Sequence, residues 1–345
     1  MVTREQIVEA LAHVIDPELR RPVTELDMVR SVEIDDGNVV VTIALTVVGC
    51  PLRSSFEQQV DEHVGSLAGV RSLRLEFDVM TPDERAALTT KLRGGTDTRG
   101  IQLPATTRVL AVASGKGGVG KSTLTVNIAA ALAARGREVG ILDADIYGHS
   151  IPHMLGIRQK PVLVDKLIVP PVAHDLKLMS IGFFLDDNQP VMWRGPMLHR
   201  AFEQFLQDVH WGDLDVLLVD MPPGTGDVSI SLGQLLPRAE TVVVTTPQPL
   251  AQEVAARAAT MAQKTGLRLV GVVENMTSDV FGTGGGDRLA TELGVPLLGC
   301  VPLDVELREA ADNGSPFVTP EIAEIAHTID EQRVGGFTRT LPLVS

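Results

Sequence analysis

The chain has 345 residues, 44 % of them hydrophobic and 21 % charged, which is enough apolar material for a large core and more length than one average domain needs. A net charge of −14 and an aromatic content of 3 % argue against a phosphate-backbone surface or a base-stacking platform, so no nucleic-acid partner is expected. There are two cysteines, no apolar leader after Met1, and no run of the roughly 18–20 apolar residues that a membrane span needs. These features predict a cytoplasmic protein with no disulfide framework and no membrane partner.

Thr3 and Gln6 make a capping box ahead of Ile7, Val8, Leu11, Val14 and Ile15, which predicts a first helix. Val29–Ile34 and Val39–Val48 read as strands joined by the hairpin turn Asp35-Asp36-Gly37-Asn38. A helix is expected from Pro51, since proline suits a first helical position, and Leu73–Val79 reads as a third strand. Residues 1–90 thus form a small α+β unit whose 16 acidic and 8 basic residues supply about half of the negative charge. Residues 91–107, polar and interrupted by Gly94, Gly95 and Gly100, are the expected linker. From Val109 the pattern changes. Runs at Val109–Ala113, Val139–Leu142, Val216–Val219, Val242–Thr245, Leu269–Val273 and Leu297–Val301 alternate with helical segments at 122–134, 198–208 and 250–264. Continuous apolar strands separated by helices predict an α/β unit over 108–345, with a parallel sheet covered on both faces.

The chemistry concentrates at the strand ends of that unit. Gly115-Lys116-Gly117-Gly118-Val119-Gly120-Lys121-Ser122 fits the phosphate-loop pattern G-x-x-x-x-G-K-[ST], with Thr123 next, between a strand and a helix as the motif requires. Its glycines let backbone N–H groups converge on phosphates, and the helix N-terminus adds its positive end. Lys121 is expected to contact the β- and γ-phosphates of a nucleotide, and Ser122 to offer a hydroxyl to Mg²⁺. Leu217-Leu218-Val219-Asp220 is an apolar strand ending in an acid, which predicts a second magnesium-side group at Asp220. Met221-Pro222-Pro223-Gly224-Thr225-Gly226-Asp227 follows and suits a loop that senses the γ-phosphate. Ile141-Leu142-Asp143-Ala144-Asp145 ends a further strand with acids, Asp143 and Asp145 expected near Lys121 and Mg²⁺ with one of them orienting the attacking water. Parallel strands deliver these ends to one sheet edge, where open α/β folds bind ligands.

With Glu274-Asn275-Met276, Trp193-Arg194-Gly195-Pro196-Met197 and Phe281-Gly282-Thr283-Gly284-Gly285-Gly286, these stretches resemble the Mrp/ApbC/NBP35 group. Its members are deviant-Walker-A P-loop ATPases that act as iron–sulfur cluster carriers. Residues 1–80 resemble the MIP18-like domain often fused ahead of them. The resemblance implies a homodimeric, Mg²⁺-dependent ATPase whose partners are cluster-assembly factors and apo iron–sulfur proteins. Lys116 is similar to the signature lysine that reaches the partner protomer's phosphates, Asp145 to the switch aspartate that orients water, and Asn275 to the residue that reads adenine. Val301-Pro302-Leu303-Asp304 resembles the segment packed over the base, which adds Pro302 to the nucleotide contacts. A guanine-reading pattern is absent at 275–278.

One departure from the group concerns the cargo. Its cluster carriers have a Cys-x-x-Cys shortly after Glu-Asn-Met, and here Thr277-Ser278-Asp279-Val280-Phe281 stands instead. Cluster ligation takes about four thiolates, and a dimer owns only two copies each of Cys50 and Cys300. Gly49-Cys50-Pro51 sets one thiol at a predicted helix start, where the dipole favours thiolate. Cys300 ends the apolar strand Leu297–Gly299, where packing is the expected role. His149 and His153 share an i,i+4 spacing but lack further ligands for zinc. A second reading is therefore an ATP-gated dimeric binding switch, related to positioning and partitioning ATPases, that carries no cluster.

Overall fold

The computed structural model of the chain describes residues 2–47, 53–94, 101, 103–145, 148–184, 195–224 and 227–332. The first unit contains α1 (Arg4–Leu11), β1 (Val29–Asp35), β2 (Asn38–Leu45), α2 (Arg53–Val60), β3 (Ser72–Val79) and α3 (Pro82–Leu92). Thr3 and Gln6 make both bonds of the expected capping box, although the helix stops at Leu11, before Val14 and Ile15. The hairpin turn places Asp36 and Gly37 at φ 45° and 83°, the two left-handed positions of a type I′ turn. The three strands run in the order β1-β2-β3, with β1 antiparallel and β3 parallel to β2. Helix α3 is an addition to the sequence expectations. It buries only Leu88 and Thr89, so periodicity is weak, yet Thr81 and Glu84 form a second capping box with Pro82 at the first turn. The first residues of the expected linker, Lys91 and Leu92, are its last turn.

The second unit begins with β4 (Arg108–Ser114), α4 (Lys121–Ala134), β5 (Val139–Asp143) and α5 (Ile151–Met154). Short strands β6 (Val162–Val164), β7 (Leu167–Val169) and β8 (Val172–Ala173) precede β9 (Leu176–Ser180) and α6 (Gly195–Gln207). Then come β10 (Val216–Asp220), α7 (Asp227–Leu235), β11 (Glu240–Thr245), α8 (Pro249–Lys264) and β12 (Arg268–Thr277). The last described elements are α9 (Gly285–Leu293), β13 (Leu297–Pro302), α10 (Val305–Asp312) and α11 (Pro320–Glu331). The large sheet has the order β13-β12-β11-β4-β10-β5-β9-β8, parallel except for β8. Strands β5, β10 and β11 are buried along their whole length, as continuous apolar runs require when helices cover both faces. Because β4 lies between β10 and β11, the loop after it opens at the middle of the sheet's C-terminal edge.

Two cores form, and hairpin β6–β7 joins them. Val164 and Val169 are buried with Met80 and Leu88 of the first unit, and the Thr89 hydroxyl donates to the Val164 carbonyl at 3.0 Å. Arg20 pairs with Glu138 and Asp175, the residues just before β5 and β9. The first unit therefore docks at the edge of the sheet opposite the phosphate loop. Near this contact Glu18 is buried beside Asp16, and burial, then the Asp16 charge, push its carboxyl up to about 7. The folded protein thus holds this proton more tightly than the unfolded chain. The resulting stability is complete below about pH 4.5 and is lost as pH rises through about 7. Glu18→Gln is expected to gain on the parent protein between pH 5 and 8, by roughly 3 kcal/mol at most. Urea unfolding at the two pH values measures it, and a pH-independent difference refutes it.

Candidate functional site

Residues 115–120 link β4 to α4 and pack against two other strand ends. Gly115 lies so close to the backbone of α8 at Val254 and Ala255 that a Cβ there would overlap it. The Gly224 N–H donates to the Ser114 carbonyl at 2.8 Å, tying the Pro222-Pro223-Gly224 loop to the start of the phosphate loop. The Ser114 hydroxyl donates to the Lys116 carbonyl at 3.0 Å, and Gly117 and Gly118 are exposed. Gly120, at φ 80°, turns the chain into α4, whose first turn has no side-chain cap, so its N–H groups face the loop.

The centre of the site is charged and buried. Lys121, only 6 % exposed, holds Asp220 at 2.7 Å and reaches Asp145 at 3.5 Å. Asp220 is fully buried and also accepts from the hydroxyls of Ser122 at 2.6 Å and Thr125 at 2.8 Å. Burial pushes the Asp220 carboxyl up, while Lys121 and the hydroxyls act the other way. Asp143 is the cross-strand partner of Asp220. Its carboxylate accepts from the Ser180 hydroxyl at 2.9 Å and the Asp145 N–H at 3.2 Å. Burial, then the neighbouring Asp220 charge, raise Asp143 to about 7. Asp145 in turn accepts from the Gly148 N–H at 3.1 Å.

Three acids therefore surround one lysine at the loop, an excess of negative charge that suits a cation. The donors are a hydroxyl and carboxylates, the hard oxygens that magnesium takes. Among the described residues no three His, Cys, Asp or Glu side chains converge as a metal-ligand set. The donors accordingly fit a magnesium ion held by the Ser122 hydroxyl and by carboxylates directly or through water, its shell completed by water and phosphate, rather than an all-protein cage.

The remaining predicted residues separate. Asn275, at the end of β12, donates to the Val119 carbonyl at 2.8 Å and so touches the loop directly. Pro302 ends the adjacent β13, where the Leu303 N–H donates to the Thr277 carbonyl at 2.9 Å. Cys300 is exposed rather than packed. Its sulfur lies 3.7 Å from Glu274, and the partial burial of the sulfur, followed by that carboxylate, raises the thiol, which disfavours thiolate. Cys50, Trp193, Arg194, Thr225 and Gly226 lie outside the described residues.

A family described as "NUBPL iron-transfer P-loop NTPase" matches residues 105–332, and one described as "Iron-sulfur cluster assembly protein" matches residues 4–74. The chain is 54 % identical over 330 residues to the iron-sulfur cluster carrier protein of Mycobacterium tuberculosis, covering 90 % of this chain and 86 % of that one. The chain belongs to the NUBPL iron-transfer P-loop NTPase family. A Bacillus subtilis relative with the same name is 40 % identical over 317 residues, covering 88 % and 89 %. Among solved structures, a nucleotide-binding protein of Archaeoglobus fulgidus in complex with ADP is 36 % identical, with a TM-score of 0.55, over 62 % of this chain and 90 % of that one. The cell division ATPase MinD of Pyrococcus furiosus, at 23 % identity and a TM-score of 0.52 over 66 % and 99 %, shares the fold. All of the loop, carboxylate and Asn275 contacts above fall within the NTPase match.

Two residues of this site, Thr125 and Ser180, escape a motif-based reading, as does the contact that Glu274 of the Glu-Asn-Met stretch makes. Thr125 had a usable signal, because it lies one helical turn after Lys121 and so faces the same way. Ser180 had none, since its contact depends on β9 pairing with β5, which sets it across from Asp143. Glu274 accepts from the N–H groups of Gly285 and Gly286 at 3.1 and 3.0 Å, anchoring the start of α9. Thr125→Val keeps the shape of the side chain and removes a donor to a buried carboxylate. It is expected to lower stability by about 1–3 kcal/mol, read as a shifted urea midpoint with an unchanged slope.

Proposed function

We propose that this chain is an ATP-hydrolysing iron–sulfur cluster carrier of the Mrp type, cytoplasmic and homodimeric, delivering clusters to apo-proteins. In this reading residues 1–90 form a MIP18-like domain, 91–107 a linker and 108–345 the ATPase. The observation that carries the ATPase part is the convergence of Lys121, Ser122, Asp145 and Asp220 at the mouth of the phosphate loop. The N–H groups of 115–123 bind the phosphates, and the Lys121 ammonium, already held beside two carboxylates, balances their charge. Asp145, braced by Gly148, orients the water that attacks the γ-phosphorus, and the bond to the β-phosphate oxygen breaks to leave ADP and phosphate. Ser122, Asp220 and Asp143 would hold Mg²⁺, which neutralises charge on the β- and γ-oxygens when bound. Pro302 borders the adenine, Asn275 contacts the phosphate loop through Val119, and Lys116 reaches the phosphates of the second protomer. On this assignment Lys116→Ala and Lys121→Ala each lower phosphate release by at least about 100-fold. Full turnover in Lys116→Ala sinks the two-protomer site and leaves the single-protomer one standing.

The cargo part is supported by membership of the iron-transfer family and by the names of its relatives. The cluster itself is substrate here. Cys50 and Cys300 are the chain's thiols, so they are the ligands to test. After anaerobic reconstitution, iron and sulfide analysis is expected to find a cluster on the parent protein and none on the Cys50→Ser/Cys300→Ser variant. A full complement on that variant overturns ligation by cysteine. No cluster on the parent protein would instead favour the reading as a dimeric switch without a cluster, to which the raised Cys300 thiol already gives some support.

A further inference from the structure

Asn275 is matched by resemblance to the adenine base, but its contact in the fold is with the phosphate loop itself. We propose that Asn275 is a positioning residue that sets the peptide plane between Val119 and Gly120, and thereby the phosphate-binding shape of the loop. This rests on the reading of residues 115–123 as a nucleotide site. The Asn275 side chain is 3 % exposed, and its Nδ2 donates to the Val119 carbonyl at 2.8 Å, across the gap between β12 and the loop. A peptide unit is planar and trans, so its C=O and N–H point in opposite directions. Pinning the Val119 carbonyl toward Asn275 therefore turns the Gly120 N–H away from the strand. That N–H takes no hydrogen-bond partner among the described residues.

Two further observations show that the approach is built in. Gly120 has φ 80°, and a Cβ there would overlap Asn275 Nδ2 and come within 3.3 Å of Met276 Cε. Glycine is thus required at 120 by the left-handed backbone and again by the amide that approaches it. On the other side, Met276 is held at φ 59°, an unfavourable conformation for a side chain of that size, at a register shift between Asn275 and Thr277. Such strain persists only where surrounding contacts impose it. Here Glu274, buried and bonded to the Gly285 and Gly286 N–H groups, fixes the strand immediately before Asn275.

A base reader and a loop strut differ in what they do to a ligand that has no base. Binding of ATP, GTP and inorganic tripolyphosphate to the full chain, measured by calorimetry, separates them. Loss of one hydrogen bond of ordinary strength predicts that Asn275→Ala weakens tripolyphosphate and ATP alike, about 3–10-fold, with the ATP-to-GTP preference retained. Unchanged tripolyphosphate affinity beside weakened ATP, or a lost ATP-to-GTP preference, overturns the proposal in favour of base reading. Asn275→Ser, a milder truncation, is measured in parallel. A strut leaves the sheet intact, so loss of the ligand-free fold in both variants also overturns it. Failure of the parent protein to bind ATP at all refutes instead the nucleotide reading on which the proposal rests.

Discussion

The site depends on one buried carboxylate. Asp220 ends β10 in the middle of the sheet and has no access to water, so its charge must be met by protein groups. Lys121, Ser122 and Thr125 meet it, and all three come from the first turns of α4. The requirement locks the helix against the strand and brings the phosphate loop, which leads into that helix, to a single position. Replacing such a set with apolar residues would cost the fold little, since buried ion pairs seldom contribute much net stability. What the carboxylate secures is the placement of a cation and hydroxyls at a helix N-terminus.

Around this centre the other strand ends act as braces. β5 brings Asp143 and Asp145 alongside, with Ser180 of β9 holding Asp143 from the next strand out. β12 reaches the loop from the opposite direction through Asn275, and Glu274 ties the same strand to α9. The loop is therefore gripped from both sides of the sheet, and Gly115 and Gly120 are the points where backbone or amide groups come too near for a Cβ. Binding that relies on backbone N–H groups needs this restraint, because a loop free to rotate its peptide planes would lose the convergence of those groups.

The first unit stands at the far end of the same strands. Arg20 pairs with residues directly before β5 and β9, and the buried valines of β6–β7 complete the first core. The two units thus share packing as well as a covalent connection, and the strands that carry Asp143 and Ser180 at one end meet the first unit at the other. The α+β unit is in consequence kept away from the nucleotide edge of its own chain.

Local chemistry was enough to read much of this. The phosphate loop from Gly115 to Ser122 announces itself because its glycines, lysine and serine are adjacent in the chain and serve one ligand. The acids Asp143, Asp145 and Asp220 are legible because apolar strands stop at them, and parallel strands stop at a common edge. The capping boxes at Thr3 and Thr81 are equally local, although α3 was missed because one face of it is barely apolar. Contacts that join distant stretches had no such mark. Ser180 opposite Asp143, Asn275 under Val119 and Val164 within the first core are separated by tens to more than a hundred residues, and each exists only through strand order and helix packing. The identities of the charged and phosphate-facing groups were written in the chain, whereas their partners and the plane in which each group points were set by folding, because hydrogen-bond geometry belongs to pairs of atoms and not to positions in a sequence.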